Sequence, residues 1–343
     1  MKALVGMSKA ELQAIAEEFG EPAYRGGQIA RWIYEKGARN LDDMTDLPKA
    51  FREKLAGGYT VAALSAVTFS QAPDGTTKFL YRAADGREIE SVWIPYPDRV
   101  TVCISSQVGC AMACRFCATG QLGFERNLTP GEIVDQILAM QAQMGRRISN
   151  VVYMGMGEPL LNLDAVLTSV HLLNKSVGIA MRQITISTVG IVPKIKELAS
   201  HKLQLTLALS LHAPNDALRD DLVPINSKFT LRELYEAVKE YDEVTGRRVT
   251  LEYIMLNGVN DRLNHAQQLI AWSRGLHVHI NLIPYHPTGS AYAATPVNEM
   301  QAFRRALEKA GFPTAIRAER GLEIEAACGQ LKRQLAARQS AAG

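Results

Sequence analysis

Five cysteines carry the chemistry this sequence can do: Cys103, Cys110, Cys114, Cys117 and Cys328. An odd count, with four crowded into fifteen residues of a 343-residue chain, makes a poor disulfide framework. The trio Cys110-x3-Cys114-x2-Cys117 instead has the spacing of ligands, and thiolates so close together need oxidation, a metal or a proton to coexist. A structural zinc would want a fourth ligand, and no His is adjacent. Iron–sulfur clusters usually take four thiolates, so three dedicated cysteines leave one iron open to a substrate or cofactor. The competing reading is three structural cysteines gathered by chance. Gly109 before the trio and the loop-like residues after it favour a ligand loop.

Such a loop needs elements to hold it. From Val100 the pattern becomes strand then helix, six times over, with strands near 100–105, 150–154, 183–187, 204–210, 249–255 and 278–283. Helices are expected to start near Thr129-Pro130, Asn162, Pro193, Thr230, Arg262 and Thr295-Pro296. At the first of these, Thr129 caps, Pro130 takes the first helical position and Glu132 completes a capping box. Repeated βα units mean a parallel sheet, and ligands bind such sheets at the strands' carboxyl ends. There the sequence places the cysteine loop, Gly155-Met156-Gly157-Glu158-Pro159, Ser187-Thr188-Val189-Gly190, Ser210-Leu211-His212-Ala213, Asn257 to Asp261 and Pro284-Tyr285-His286-Pro287. Six loops converging beside an open iron would form one site. Taken singly, the glycine pair more often eases a turn, and Ser187 and Ser210 are ordinary strand-end residues. Glu158 could accept hydrogen bonds from an amine. His277 and His279 read as barrel-wall residues with hydrogen-bond partners rather than a metal pair.

Ahead of the barrel, residues 1–57 read as short helices: Leu12, Ile15, Ala16 and Phe19 share one face, as do Ile29, Trp32 and Ile33, and a further helix carries Phe51 and Leu55. Residues 58–98 read as a small meander turning at Pro73-Asp74-Gly75 and Asp85-Gly86. Residues 99–331 are the expected barrel with its Cys328 loop, and 332–343 a tail. A 47% hydrophobic, 21% charged composition excludes disorder. No apolar run approaches the ~18 residues of a membrane span, and the start lacks the apolar stretch of a secretory signal. A cytoplasmic protein with no membrane partner is therefore expected. The net charge of +3 does not itself indicate nucleic acid. From Met300 onward, eight Lys and Arg face four Glu, an excess that a solvated helix face would also produce.

Cys110-Ala111-Met112-Ala113-Cys114-Arg115-Phe116-Cys117 resembles the signature of the radical S-adenosylmethionine (radical SAM) superfamily, and Gly157-Glu158-Pro159 resembles its second motif. More closely, the chain resembles the RlmN-type methyltransferases. That likeness runs from Tyr24-Arg25-Gly26-Gly27-Gln28-Ile29 and Trp32-Ile33-Tyr34 through Cys103 to Gly109, Met154 to Leu161 and Ser210 to Asp216. It ends at Ala326-Ala327-Cys328-Gly329-Gln330-Leu331. The resemblance implies an α/β fold, a partial (β/α)6 barrel with an N-terminal helical accessory domain and a small β segment. It implies an enzyme that methylates carbon 2 of adenine in the peptidyl-transferase centre of 23S rRNA and a purine in the tRNA anticodon loop. Cys110, Cys114 and Cys117 would hold a 4Fe–4S cluster whose open iron binds SAM. Cys328 would take a methyl from one SAM, a second SAM would be cleaved reductively, and the resulting radical would draw a hydrogen from that methyl. The methylene would then add to adenine, and Cys103 would release product by forming a disulfide with Cys328. Glu90 corresponds to a proton acceptor; Gly157, Glu158, Ser187, Ser210, Leu211, His212 and His286 correspond to SAM contacts. An electron donor such as a flavodoxin system is implied.

Two positions depart from the family pattern: His286 stands where related sequences often have Asn, and Leu322-Glu323-Ile324-Glu325 replaces an Asp-rich run. The N-terminal segment and Arg304, Arg305, Lys332 and Arg333 are candidate RNA surfaces. Two rival readings remain: Cfr-type methylation of adenine carbon 8 in 23S rRNA, which uses the same cysteines, and a non-catalytic iron–sulfur or zinc RNA-binding module. The latter has no use for Cys103 and Cys328.

Overall fold

Helix α1 (Lys9–Glu18) begins at Ser8, which forms a reciprocal capping box with Glu11 and so satisfies backbone donors that a helix start leaves open. Its Leu12, Ile15 and Ala16 join Ile29 and Ile33 of α2 (Tyr24–Tyr34) and Phe51 and Leu55 of α3 (Lys49–Ala56) in the buried core. The computed structural model describes residues 1–331; the expected tail, with Lys332 and Arg333, lies outside the described residues.

Strands β1 (Leu64–Gln71), β2 (Thr77–Ala83) and β3 (Glu88–Pro95) form the expected antiparallel meander. They do not stand apart from the barrel: β3 pairs with β4 (Val100–Cys103), placing Val92 opposite Cys103. A hairpin of β5 (Gln107–Gly109) and β6 (Phe124–Asn127) then brackets the three-cysteine loop. The barrel continues through α4 (Pro130–Met144), β7 (Asn150–Tyr153), α5 (Leu163–Leu172), β8 (Ile184–Thr188), α6 (Val192–Ser200) and β9 (Thr206–Ser210). It closes with α7 (Asp216–Leu222), α8 (Leu231–Thr245), β10 (Val249–Met255), α9 (Leu263–Ser273), β11 (Val278–Pro284), α10 (Val297–Lys309) and β12 (Thr314–Ile316).

One ten-stranded sheet runs β12-β11-β10-β9-β8-β7-β4-β3-β2-β1, parallel from β12 to β4 and antiparallel beyond. All six expected barrel strands are present, and Thr129, Asn162, Thr230 and Arg262 are helix N-caps. The β5–β6 hairpin, α7 and β12 were not expected from the sequence. Segments this short do not let a helical or alternating pattern stand out. On β10 the alternation of a strand turns Glu252 and Ile254 to the barrel interior, where Glu252 lies in register with Ser210 on one side and Asn281 on the other. Buried Asp135 on α4 holds both the N-terminal module and the start of the meander: it pairs with Arg39 and accepts from the Ala63 and Leu64 amides at 2.8 Å. No helix among the described residues is long and apolar enough to cross a membrane.

Candidate active site

A cavity opens where the parallel strands end. Cys110, Cys114 and Cys117 line one side of it. Their loop is closed at its base by the Cys110 amide, which donates to the Gly123 carbonyl at 2.8 Å. Gly109, at φ +74°, makes that closure possible, since a β-carbon there would lie 1.9 Å from the Gly123 oxygen. Burial pushes the Cys110 thiol up to about 12 and raises Cys114 and Cys117; neighbouring thiols add to the rise, while hydrogen bonds from Met112 to Cys110 and from Gly120 and Thr119 to Cys117 oppose it. Three thiols in one apolar recess ionise together only around a positive centre. No three His, Cys, Asp or Glu among the described residues converge closely enough to hold a single ion. Three thiolates are a donor set that fits an iron–sulfur cluster with one iron left open.

Opposite the cysteines, Gly157 is held against β5. A β-carbon on it would sit 2.5 Å from Cβ of Gln107, and its φ of +103° suits only glycine. Gln107 Oε1 accepts from the Glu158 amide at 2.8 Å, fixing the Gly-Glu pair. The Glu158 carboxylate accepts from the amides of Leu160 (3.0 Å) and Val189 (2.9 Å), so it ties the β7 loop to the β8 loop. Burial raises it to about 7, and its unused lone pairs still suit an amine. Ser187 and Ser210 meet Oγ to Oγ at 3.2 Å and both line the cavity. His212 also lines it; burial lowers its pKa to about 3, so the ring is neutral. Its Nδ1 accepts from the Ile254 amide at 3.1 Å, which puts the ring proton on Nε2. Leu211 is fully buried behind the wall, outside the cavity lining, with its amide donating to the Glu252 carbonyl.

Sequence reasoning missed Arg219, which holds these loops together. It is fully buried, donating to the carbonyls of Leu211 (3.0 Å) and Val189 (2.6 Å) and to Asn226 Oδ1 (2.9 Å). Its α7 helix shows no periodicity that marks it. Arg219→Met is expected to lower unfolding stability by about 1–3 kcal/mol, the scale for leaving buried acceptors without their donor. Urea denaturation of the variant against wild type measures this; a loss below about 1 kcal/mol would contradict it.

Cys328 lines the main cavity and also a second one, which is lined by Cys103 as well. The loop carrying it is fastened to the cysteine loop: the Ala118 amide donates to the Gly329 carbonyl and the Thr119 hydroxyl to the Leu331 carbonyl, both at 2.7 Å. From the other side Gln330 Nε2 donates to the Pro287 carbonyl at 3.0 Å. Cys103 and Cys328 are both free thiols. Burial and the nearby Cys328 push Cys103 up to about 12, and Arg317 opposes that shift. Arg317, also missed from sequence, lines both cavities, with Nη1 3.6 Å from Met154 Sδ. His286 lines the second cavity rather than the first, with Nε2 3.6 Å from Glu319.

Glu90 lines neither cavity. It is fully buried on the face of β3 that also carries Val92 and Ile94, both of which line the second cavity. Its carboxylate lies 3.4 Å from the buried Lys78 ammonium, which also donates to the Glu325 carbonyl at 3.2 Å. Lys78 thereby spans from Glu90 to the Cys328 loop.

The comparisons agree with this geometry. The radical SAM superfamily model matches residues 104–270, and the ribosomal RNA large subunit methyltransferase N-terminal domain model matches residues 2–61. A probable dual-specificity RNA methyltransferase RlmN of Gloeobacter violaceus is 50% identical, covering 96% of this chain and 95% of its own. Its counterpart in Thermosynechococcus vestitus is 51% identical, covering 96% and 98%. The crystal structure of a radical SAM methyltransferase from Sphaerobacter thermophilus superposes with a TM-score of 0.93 at 45% identity, covering 96% of this chain and 99% of that one. The FeFe-hydrogenase maturase HydG of Carboxydothermus hydrogenoformans, 16% identical with a TM-score of 0.51, shares the fold alone. By identity and by coverage in both directions, the chain belongs to the RlmN family of the radical SAM superfamily.

Proposed function

We propose that this chain methylates carbon 2 of adenine in 23S rRNA and in tRNA, passing the methyl group through Cys328. Its superfamily uses a 4Fe–4S cluster and SAM as cofactors. Cys110, Cys114 and Cys117 are the residues that would hold the cluster. When bound, the cluster supplies the single electron that cleaves SAM, and a one-electron donor such as a flavodoxin system would replenish it. Adenine carbon 2 is not nucleophilic, so a methyl cannot reach it by polar displacement; a carbon radical has no such requirement.

The chain's own residues would do the rest. Gly157, Glu158, Ser187, Ser210 and His212 surround SAM. The Cys328 sulfur attacks the methyl carbon of one SAM, forming a carbon–sulfur bond as S-adenosylhomocysteine departs. That methyl would give up a hydrogen atom to the 5′-deoxyadenosyl radical obtained from a second SAM, and its carbon would then join the adenine ring, so that enzyme and RNA are linked through Cys328. Glu90, paired with Lys78 at 3.4 Å, takes the ring proton. The Cys103 thiolate then attacks the Cys328 sulfur, the bond to the product carbon breaks, that carbon takes up a proton to complete the methyl, the adduct's unpaired electron returns to the one-electron carrier, and a disulfide remains for a reductant to open. The target base has to leave its stack to reach such a recess. The N-terminal module and exposed Arg305 on α10 are the proposed RNA contacts.

The observation that carries this reading is that Cys328 borders both cavities, with the three-cysteine loop in one and Cys103 in the other. A structural cluster needs neither of the two extra cysteines. The test incubates the anaerobically reconstituted protein with SAM, a reductant and a 23S rRNA fragment or tRNA, then digests the RNA and identifies nucleosides by mass spectrometry. 2-Methyladenosine is expected. 8-Methyladenosine would assign the sister activity, and SAM cleavage with no methylated adenosine would overturn the reading.

A further inference from the structure

Glu252 stands out in the main cavity. Its side chain is 3% exposed, on the central strand β10, in an otherwise apolar stretch. Oε1 accepts from Asn281 Nδ2 at 3.1 Å, and Asn281 Oδ1 in turn meets His279 Nε2 at 3.2 Å. Oε2 is buried without a hydrogen-bond partner, and among the described residues it is the one such side-chain oxygen whose residue lines this cavity. Arg317 supplies a favourable charge nearby but no hydrogen bond to it is formed. A buried acceptor left this way carries a standing cost that a ligand's donor removes.

The position says what kind of donor. Glu252 is in register with Ser210, and Ser210 touches Ser187, so a polar row crosses the barrel interior from β8 to β11. The Gly157-Glu158 segment and the cysteine loop occupy other parts of the wall. We propose that Glu252 accepts a hydrogen bond from a nucleoside bound in this cavity, from a ribose hydroxyl or an adenine amino group. Two nucleosides carry those donors, that of SAM and the target adenosine of RNA. The assignment rests on the proposed reading of the cavity as the SAM and adenosine site. His279 and Asn281 act through Glu252 as positioning residues, fixing which oxygen is left free.

The test is equilibrium binding of SAM to the cluster-loaded protein without RNA, for wild type and Glu252→Gln. Gln keeps an oxygen for Asn281 and presents an NH2 where the ligand's own donor points. Glu252→Asp, which keeps the charge facing Arg317 and withdraws the acceptor by one methylene, is the second variant should Gln disturb folding. Iron content and thermal midpoint report on folding. SAM binding about tenfold weaker in either folded variant is expected, the worth of one hydrogen bond to a charged group, and names SAM as the source. Unchanged SAM binding with a KM for RNA raised about tenfold supports the assignment with the target adenosine as the source. Neither changing overturns it. Wild type that binds no SAM would overturn the cavity reading and this assignment with it, and that failure is seen before any variant is compared.

Discussion

Cys328→Ser is expected to abolish RNA methylation, by on the order of 10⁴-fold or more as when other covalent nucleophiles are removed, while iron content and cluster absorbance stay at wild-type levels. Serine is nearly isosteric, but its hydroxyl is far less nucleophilic than a thiolate at neutral pH and cannot take the methyl from SAM. The loop should keep its place, because the bonds that fasten it involve the backbone of Gly329 and Leu331 and the side chain of Gln330, not the sulfur. Product nucleosides measured alongside iron per protein give the result in one preparation. Loss of iron in this variant would mean that Cys328 belongs to the metal site, and the rival structural-module reading would gain.

Cys103→Ala is expected to behave differently: the methyl reaches Cys328, the carbon–carbon bond forms, and the reaction stops with RNA attached to protein. Steady-state product formation should fall by on the order of 10³-fold, with a covalent protein–RNA species visible on a denaturing gel. Cys103 is buried and small, so alanine leaves only a slight void. The same residue predicts a pH effect. Burial holds its thiol up at about 12, so only a small thiolate fraction exists near neutrality, and that fraction grows as pH rises. Release of product in wild type should therefore accelerate between about pH 7 and 9. A Cys103→Ala variant that releases free methylated RNA at the wild-type rate would contradict the resolving role.

Much of this was legible in sequence because the signals are local. Cysteine spacing, the capping box at Thr129, and the turn residues that end each strand act within a few positions of one another. That is why the six barrel strands and the loops at their ends could be read directly. What the sequence hid depends on contacts between distant segments. Arg219 looks like any helix-surface arginine until folding buries it under the carbonyls of Val189 and Leu211. Arg317 reaches the cavity shared by Cys103 and Cys328 only because a short seventh parallel strand, β12, delivers it there. Glu252 did leave a trace, a lone charge in the apolar run Val249–Met255, but its unpartnered oxygen appears only when Asn281 is seen to occupy the other. The reverse also occurs. Leu211 and His286, singled out by motif, are not in the lining of the main cavity; one is packed behind its wall and the other faces the second cavity.

The central claim is that the methyl group reaches RNA through Cys328 rather than directly from SAM. Labelling tests this most directly: the enzyme is cycled with SAM whose methyl group is fully deuterated, and the methylated adenosine is weighed after Cys328 has exchanged its label. Passage through Cys328 strips one hydrogen isotope from the methyl before it meets the ring, so the account predicts a product methyl that keeps two deuterium atoms and gains one hydrogen. A product methyl that keeps all three would mean intact transfer from SAM to adenine and would contradict the account.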